Sequence, residues 1–114
     1  MRELHATQSI LTKVLRRARD SNARGIRTIQ LAIGEISELD LSSIRQHWDV
    51  LSQGTPAAQA QLSFRLIQAE LQCMSCFEKY HPTNGKIHCP YCGSYGAKVL
   101  SGEEFFLESV ELET

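Results

Sequence analysis

Four cysteines, the only four in the 114-residue chain, stand as Cys73-Met74-Ser75-Cys76 and Cys89-Pro90-Tyr91-Cys92, with twelve residues between the pairs. Each C-x-x-C places two thiolates on one side of a tight turn. Two such turns facing one another form a tetrahedral S₄ cage, which suits Zn²⁺, an ion without d-electron geometric preference that binds thiolates at about 2.3 Å. Twelve residues are fewer than the roughly 15–20 of the common zinc-ribbon pattern, yet ample for a ribbon hairpin. Cys73, Cys76, Cys89 and Cys92 are therefore expected to hold one structural zinc. Four thiolates leave no open position for water, so a catalytic role is not expected of it.

Other uses of paired cysteines compete. Two disulfides would suit a secreted domain. However, residues 1–10 show no apolar run behind a basic start, and no stretch approaches the ~20 apolar residues that span a bilayer. A reducing, cytoplasmic home is expected, where paired cysteines more often bind metal. A thioredoxin-like pair would open a helix after a strand, whereas Cys92 is followed by the turn-forming Gly93-Ser94-Tyr95-Gly96. Mononuclear iron is the nearer rival, because Cys89-Pro90-Tyr91-Cys92-Gly93 resembles a rubredoxin knuckle; Cys76-Phe77-Glu78 lacks the matching glycine. Residues 71–100 hold few apolar side chains, too few to offset the entropy of ordering them. A structural zinc, contributing an apparent ~10–16 kcal/mol, would fold the segment outright.

Residues 3–22 read as an amphipathic helix, with Leu4, Leu11, Val14, Leu15 and Ala18 at three- and four-residue steps and Asn22 and Gly25 at its end. Ile26–Ile33 reads as a strand in which Ile29, Leu31 and Ile33 alternate with Thr28, Gln30 and Ala32; Gly34 breaks it. Asp40 is the expected N-cap of a second helix carrying Leu41, Ile44, Trp48 and Leu51 on one face, ended by Gly54-Thr55-Pro56. Gln61–Gln68 and residues 106–112 alternate again. The fold class expected is α+β: a small mixed three-stranded sheet packed with two helices, built from residues 1–70 and 101–114. The zinc-ribbon subdomain, residues 71–100, is inserted between its second and third strands.

Charge is balanced overall, 12 basic against 13 acidic residues, but unevenly spread. Residues 1–27 carry Arg2, Lys13, Arg16, Arg17, Arg19, Arg24 and Arg27 against Glu3 and Asp20, while residues 103–114 carry five glutamates and no base. A basic first helix could bind nucleic acid; the plainer expectation is a solvated face complemented by the acidic tail.

Further pieces carry a resemblance along nearly the whole chain. They are Met1-Arg2-Glu3-Leu4 with Gln8-Ser9-Ile10, Gly34-Glu35-Ile36-Ser37, Gly54-Thr55 with Ala60, the two cysteine pairs ending in Gly93, and Ser101-Gly102-Glu103-Glu104 before Phe106, Leu107 and Val110. In order and spacing the chain resembles the HypA/HybF hydrogenase-maturation nickel metallochaperones. The resemblance implies a nickel-binding α/β domain with an inserted zinc ribbon. It also implies transient Ni²⁺ binding and docking to a hydrogenase-maturation GTPase and to the hydrogenase large subunit, with urease a further client in some members.

In that family nickel is held by an extreme N-terminal Met-His-Glu. A terminal amine, backbone amides and an imidazole supply the planar nitrogen set that Ni²⁺ prefers. Met1 and Glu3 match here, but position 2 is Arg2, whose guanidinium has no lone pair to give and whose charge repels the cation. Weak nickel binding is expected. Three accounts compete: a nickel-defective chaperone, a ligand shifted to His5 one helical turn away, and an adaptor that docks without its own nickel. His47 is expected at the surface or in packing, and His81 and His88 around the ribbon as supporting or exposed groups.

No glycine-rich nucleotide loop and no nucleophilic Ser/His/Asp or Cys/His set is present, so no enzymatic activity is expected. A second class of function is a zinc-ribbon nucleic-acid or protein-binding adaptor. The ribbon's only fixed cations, Lys79, Lys86 and Lys98, favour the maturation reading with no nucleic acid and no membrane. A monomer or weak homodimer is expected.

Overall fold

A computed structural model describes residues 2–83 and 86–114. The element order is α1 (Arg2–Asp20), β1 (Gly25–Gly34), α2 (Leu41–Leu51), β2 (Gln61–Ile67), β3 (Glu70–Cys73), β4 (Lys79–Tyr80), β5 (Ala97–Ser101) and β6 (Phe105–Glu113). The class is α+β: two helices with two small three-stranded sheets, one ordered β2-β1-β6 and the other β4-β3-β5. Two compact units result. One gathers the chain up to Ala32, Glu38–Arg65 and Phe106–Thr114; the other gathers Ile33–Ser37 and Leu66–Phe105.

In the first unit α1 buries the stripe Thr7, Ile10, Leu11, Val14 and Ala18. The helix stops two residues before the expected Asn22, and Asn22 is the reason. It takes a left-handed φ of 54°, its N–H donates to the Arg19 carbonyl, and the Ala23 N–H reaches back to the Ala18 carbonyl at 3.0 Å. This paired closure satisfies the last helical carbonyls, and asparagine tolerates the conformation better than most residues. Asp40 caps α2 as expected, its carboxylate accepting from the Ser43 N–H at 3.1 Å. Ile44 and Trp48 are buried on the α2 face, while Leu41 is exposed. β1 departs from simple alternation at its end, where Leu31 and Ala32 are both buried. It is the central strand of its sheet, so both of its edges are paired.

Glu108 on β6 ties the three strands of this sheet together. It accepts from the Gln30 amide of β1 at 2.7 Å and from the Arg65 guanidinium of β2 at 2.7 Å. Among the described residues, Arg27 is the only basic residue near the N-terminus that forms an ion pair with the acidic tail, at 3.5 Å from Glu113. The tail's charges therefore do not cover the α1 cations. Among the described residues, no helix is long and apolar enough to cross a membrane.

The second unit is built on β3. Leu71 faces Tyr80 of β4, and Gln72 faces both Lys79 of β4 and Lys98 of β5, in antiparallel register. Its small core is Leu71, Cys73, Tyr80 and Cys89, with Cys76 and Ala97 packed against it. Gly34-Glu35-Ile36 is stitched into this unit. The Gly34 N–H donates to Glu104, Glu35 to Ile67 and Ile36 to Gly102, and the Glu35 carboxylate accepts from the Ala69 N–H at 2.8 Å. Gly34 is therefore more than a strand breaker: a Cβ there would lie 1.9 Å from the Gly102 carbonyl oxygen.

Candidate metal centre

The two cysteine pairs converge as their spacing predicts. The sulfurs of Cys73, Cys76, Cys89 and Cys92 all lie within 4.8 Å of one another, with Cys73 to Cys92 at 3.5 Å and Cys76 to Cys89 at 3.7 Å. A disulfide has sulfurs about 2.05 Å apart, so none is formed and all four cysteines are free. A tetrahedron with metal–sulfur bonds of about 2.3 Å has sulfur–sulfur edges of about 3.8 Å. The cluster is thus of a size to hold a metal such as zinc.

The positions follow from two matching knuckles. In the first, the Phe77 N–H returns to the Cys73 carbonyl at 3.0 Å; in the second, the Gly93 N–H returns to the Cys89 carbonyl at 2.8 Å. Backbone N–H groups point at sulfur in both: Ser75 and Cys76 at Cys73, Tyr91 at Cys89. The Ser75 hydroxyl joins the knuckles by donating to the Ser94 hydroxyl at 3.1 Å. Donation from the Cys76 and Ser75 N–H groups lowers the Cys73 thiol to about 6. The Glu78 N–H also favours the Cys76 thiolate, but burial and the other sulfurs outweigh it and push Cys76 up to about 12. Cys92 is raised as well: the Ser94 N–H acts to lower it, but hydrogen bonding with Cys73 and burial prevail. Four thiols this close cannot all shed their protons unaided, and a divalent cation is what would let them.

Neither histidine of the ribbon joins the sulfurs. His81 Nδ1 lies 2.8 Å from the Ala69 carbonyl, and the His88 ring is tilted against Tyr95 with centroids 5.8 Å apart.

The N-terminal candidates behave differently. Met1 lies outside the described residues. Arg2 directs its guanidinium to the Glu38 carboxylate. The Glu3 carboxylate accepts from the Asp40 N–H at 3.0 Å, which holds it below the usual glutamate range. His5 is exposed and His47 half-buried. Among the described residues, the cysteine cluster is the only group of three or more His, Cys, Asp or Glu side chains close enough to hold a metal ion. Glu38 and the Asp40 N–H were not legible as partners of Arg2 and Glu3. Asp40 carries only a capping signal, and its approach to α1 is set by packing.

Fold and site define a class: a small α+β protein with a four-cysteine cluster able to hold a metal such as zinc. Comparison with known proteins narrows it. The family model for "Hydrogenase/urease nickel incorporation, metallochaperone, hypA" matches residues 1–112, and the chain belongs to this family. A hydrogenase maturation factor HypA of Dehalococcoides mccartyi is 36% identical over 113 residues, covering 99% of this chain and 95% of the relative. That of Aquifex aeolicus is 30% identical over 113 residues, covering 99% and 98%. The fold is shared with the solution structure of the nickel metallochaperone HypA from Helicobacter pylori, at TM-score 0.68 and 23% identity over 97% of both chains.

Proposed function

We propose that this chain is a non-enzymatic maturation factor that assists nickel insertion into [NiFe]-hydrogenase and carries one structural zinc on Cys73, Cys76, Cys89 and Cys92. The observation that carries the reading is the family match from residue 1 to residue 112, joined by the four-sulfur cluster. Its partners on this reading are a maturation GTPase, which supplies any nucleotide-driven step, and the hydrogenase large subunit. A reducing cytoplasm suits four unpaired thiols.

Nickel is the cargo, and Arg2 weakens its capture. The guanidinium offers no donor pair, and its ion pair with Glu38 commits the side chain to a carboxylate. The Glu3 carboxylate is likewise engaged by Asp40. The chain is expected to bind Ni²⁺ more weakly than its Arg2→His variant while retaining zinc. Calorimetric titration of both zinc-loaded proteins tests this. Equal nickel affinities would defeat the missing-imidazole argument, and loss of that binding in His5→Ala would move the ligand to His5. Undetectable nickel binding together with intact partner docking would favour the adaptor reading, in which the chain recruits partners without carrying the metal.

A further inference from the structure

A cavity of about 560 Å³ lies in the first unit, where the C-terminal half of α1, the turn into β1 and the loop after α2 meet. Small-molecule sites measure roughly 300–1,000 Å³. Leu15, Ala18 and Pro56 give the cavity apolar walls, and Arg16, Arg19 and Arg24 line it as well. No carboxylate is among its lining residues. Three fixed cations gathered around one concavity focus positive potential there.

The helix end accounts for part of this charge. Arg17 and Arg19 stand in the last turn of α1, where cations complement the negative end of the helix dipole, and Arg19 has Asp20 at 3.9 Å. Arg16 precedes that turn and Arg24 lies beyond the helix. Among the described residues neither of these two has an ion-pair partner. Glu113 approaches the cavity at Gly25, but its carboxylate pairs with Arg27. Two guanidiniums are left without a counter-charge.

We propose that this cavity binds a phosphoanhydride chain, the linked phosphoryl groups of a nucleotide or of inorganic polyphosphate. Guanidinium forks match phosphate oxygens in pairs. Arg16 and Arg19 are three residues apart on one helical face, which sets their Cβ atoms about 5–6 Å apart, and Arg24 adds a third charge. Adjacent phosphoryl groups bring several negative charges within that span. An extended acidic peptide spaces the carboxylates of one face about 7 Å apart, a poorer match to cations this dense. With no carboxylate in the lining, the cavity offers no side-chain ligand of the kind Mg²⁺ takes, so binding without hydrolysis is expected. The site does not depend on the maturation reading.

Calorimetric titration of the full zinc-loaded chain in low-salt buffer without Mg²⁺ tests the assignment, with tripolyphosphate, ATP and adenosine as probes. Tripolyphosphate and ATP should bind, and adenosine should not. Tighter binding of ATP than of tripolyphosphate identifies the source as a nucleotide whose base the apolar walls hold; equal affinity identifies it as inorganic polyphosphate. Arg16→Ala/Arg24→Ala should keep one zinc per chain and the parent's melting temperature, both side chains being exposed. It should nevertheless lose at least about tenfold in affinity for both anions. Lys13→Ala/Arg17→Ala removes the same charge from α1 outside the cavity and should change the affinity little. Equal losses in the two double variants would overturn the site in favour of a general basic surface. Absence of anion binding at millimolar concentration would overturn it too, as would adenosine binding as tightly as ATP, or a hexaglutamate peptide binding more tightly than tripolyphosphate.

Discussion

Removing the metal should unfold one unit and spare the other. Among the described residues, the cluster around the cysteines contains, apart from cysteines and Ala97, two side chains, Leu71 and Tyr80. Burying Leu71 contributes about 1.5–3 kcal/mol, and Tyr80 is the only other large side chain in the cluster. A structural zinc supplies an apparent ~10–16 kcal/mol, several times the Leu71 contribution. Without it, the repulsion and burial of four thiols remain, and each ordered residue still costs about 1–2 kcal/mol of backbone entropy. The first unit has its own core in Val14, Ile29, Leu31, Ile44 and Trp48, all at most 3% exposed. The chain provides a probe for each unit. Its single tryptophan is Trp48, in α2, and its three tyrosines, Tyr80, Tyr91 and Tyr95, all lie in the ribbon. Chelation should collapse the tyrosine near-ultraviolet dichroism and the amide-exchange protection of residues 70–101. Trp48 emission and α1 protection should change little. Protected ribbon amides in the metal-free chain would refute the argument from core size, and simultaneous loss of the Trp48 signal would refute the independence of the cores.

Metal binding should release protons. In the unfolded metal-free ribbon the four cysteines are ordinary thiols with a pKa of about 8.5, mostly protonated at neutral pH, so up to four protons must be released to the buffer. Calorimetry in buffers of different ionisation enthalpy counts them, and apparent affinity should rise with pH; a pH-independent affinity would contradict the assignment. Gly102→Ala should cost about 2–6 kcal/mol, from backbone strain of about 1–3 and overpacking of about 1–3, since φ is +112° and the new Cβ would meet Ala69 at 2.7 Å. Gly54→Ala, with φ +77° and open space around it, should cost only the left-handed penalty of about 1–2 kcal/mol; equal urea midpoints for the two variants would remove the steric reasoning. The Gln30 amide, and then Arg65, hold Glu108 below the ordinary glutamate range. Its contribution is therefore present above the unfolded-state value and lost as pH falls through the lowered folded one. Glu108→Gln should be less stable than the parent at neutral pH and converge with it in acid, and a gap in melting temperature that persists in acid would exclude this linkage.

Local regularities made much of the architecture readable in advance. The three- and four-residue steps of α1, the Asp40 cap and the alternation in β1, β2 and β6 each depend on neighbours within a few residues. The converging cysteines were readable for the same reason, because each C-x-x-C is a local turn. Contacts between distant segments were not. Gly34 looked like a strand end, yet its missing Cβ is needed for the Gly102 carbonyl 68 positions later. Ala32 alternated like a polar-face residue, yet it lies in a central strand and is fully buried. The missing glycine after Cys76 was visible as a departure; its consequence, a phenylalanine held at φ 65°, needed the closed turn.

By itself the sequence determined which ligand groups are on offer, four thiols in two turns and no imidazole at position 2, because ligand type is a property of the side chain alone. Tertiary structure decided what surrounds those groups. It brought Glu38 to Arg2 and the Asp40 N–H to Glu3, stitched Gly34-Glu35-Ile36 into the ribbon's unit, and left Phe77 exposed in the turn after Cys76. Such placements depend on which distant segments pack together, and no local propensity specifies that.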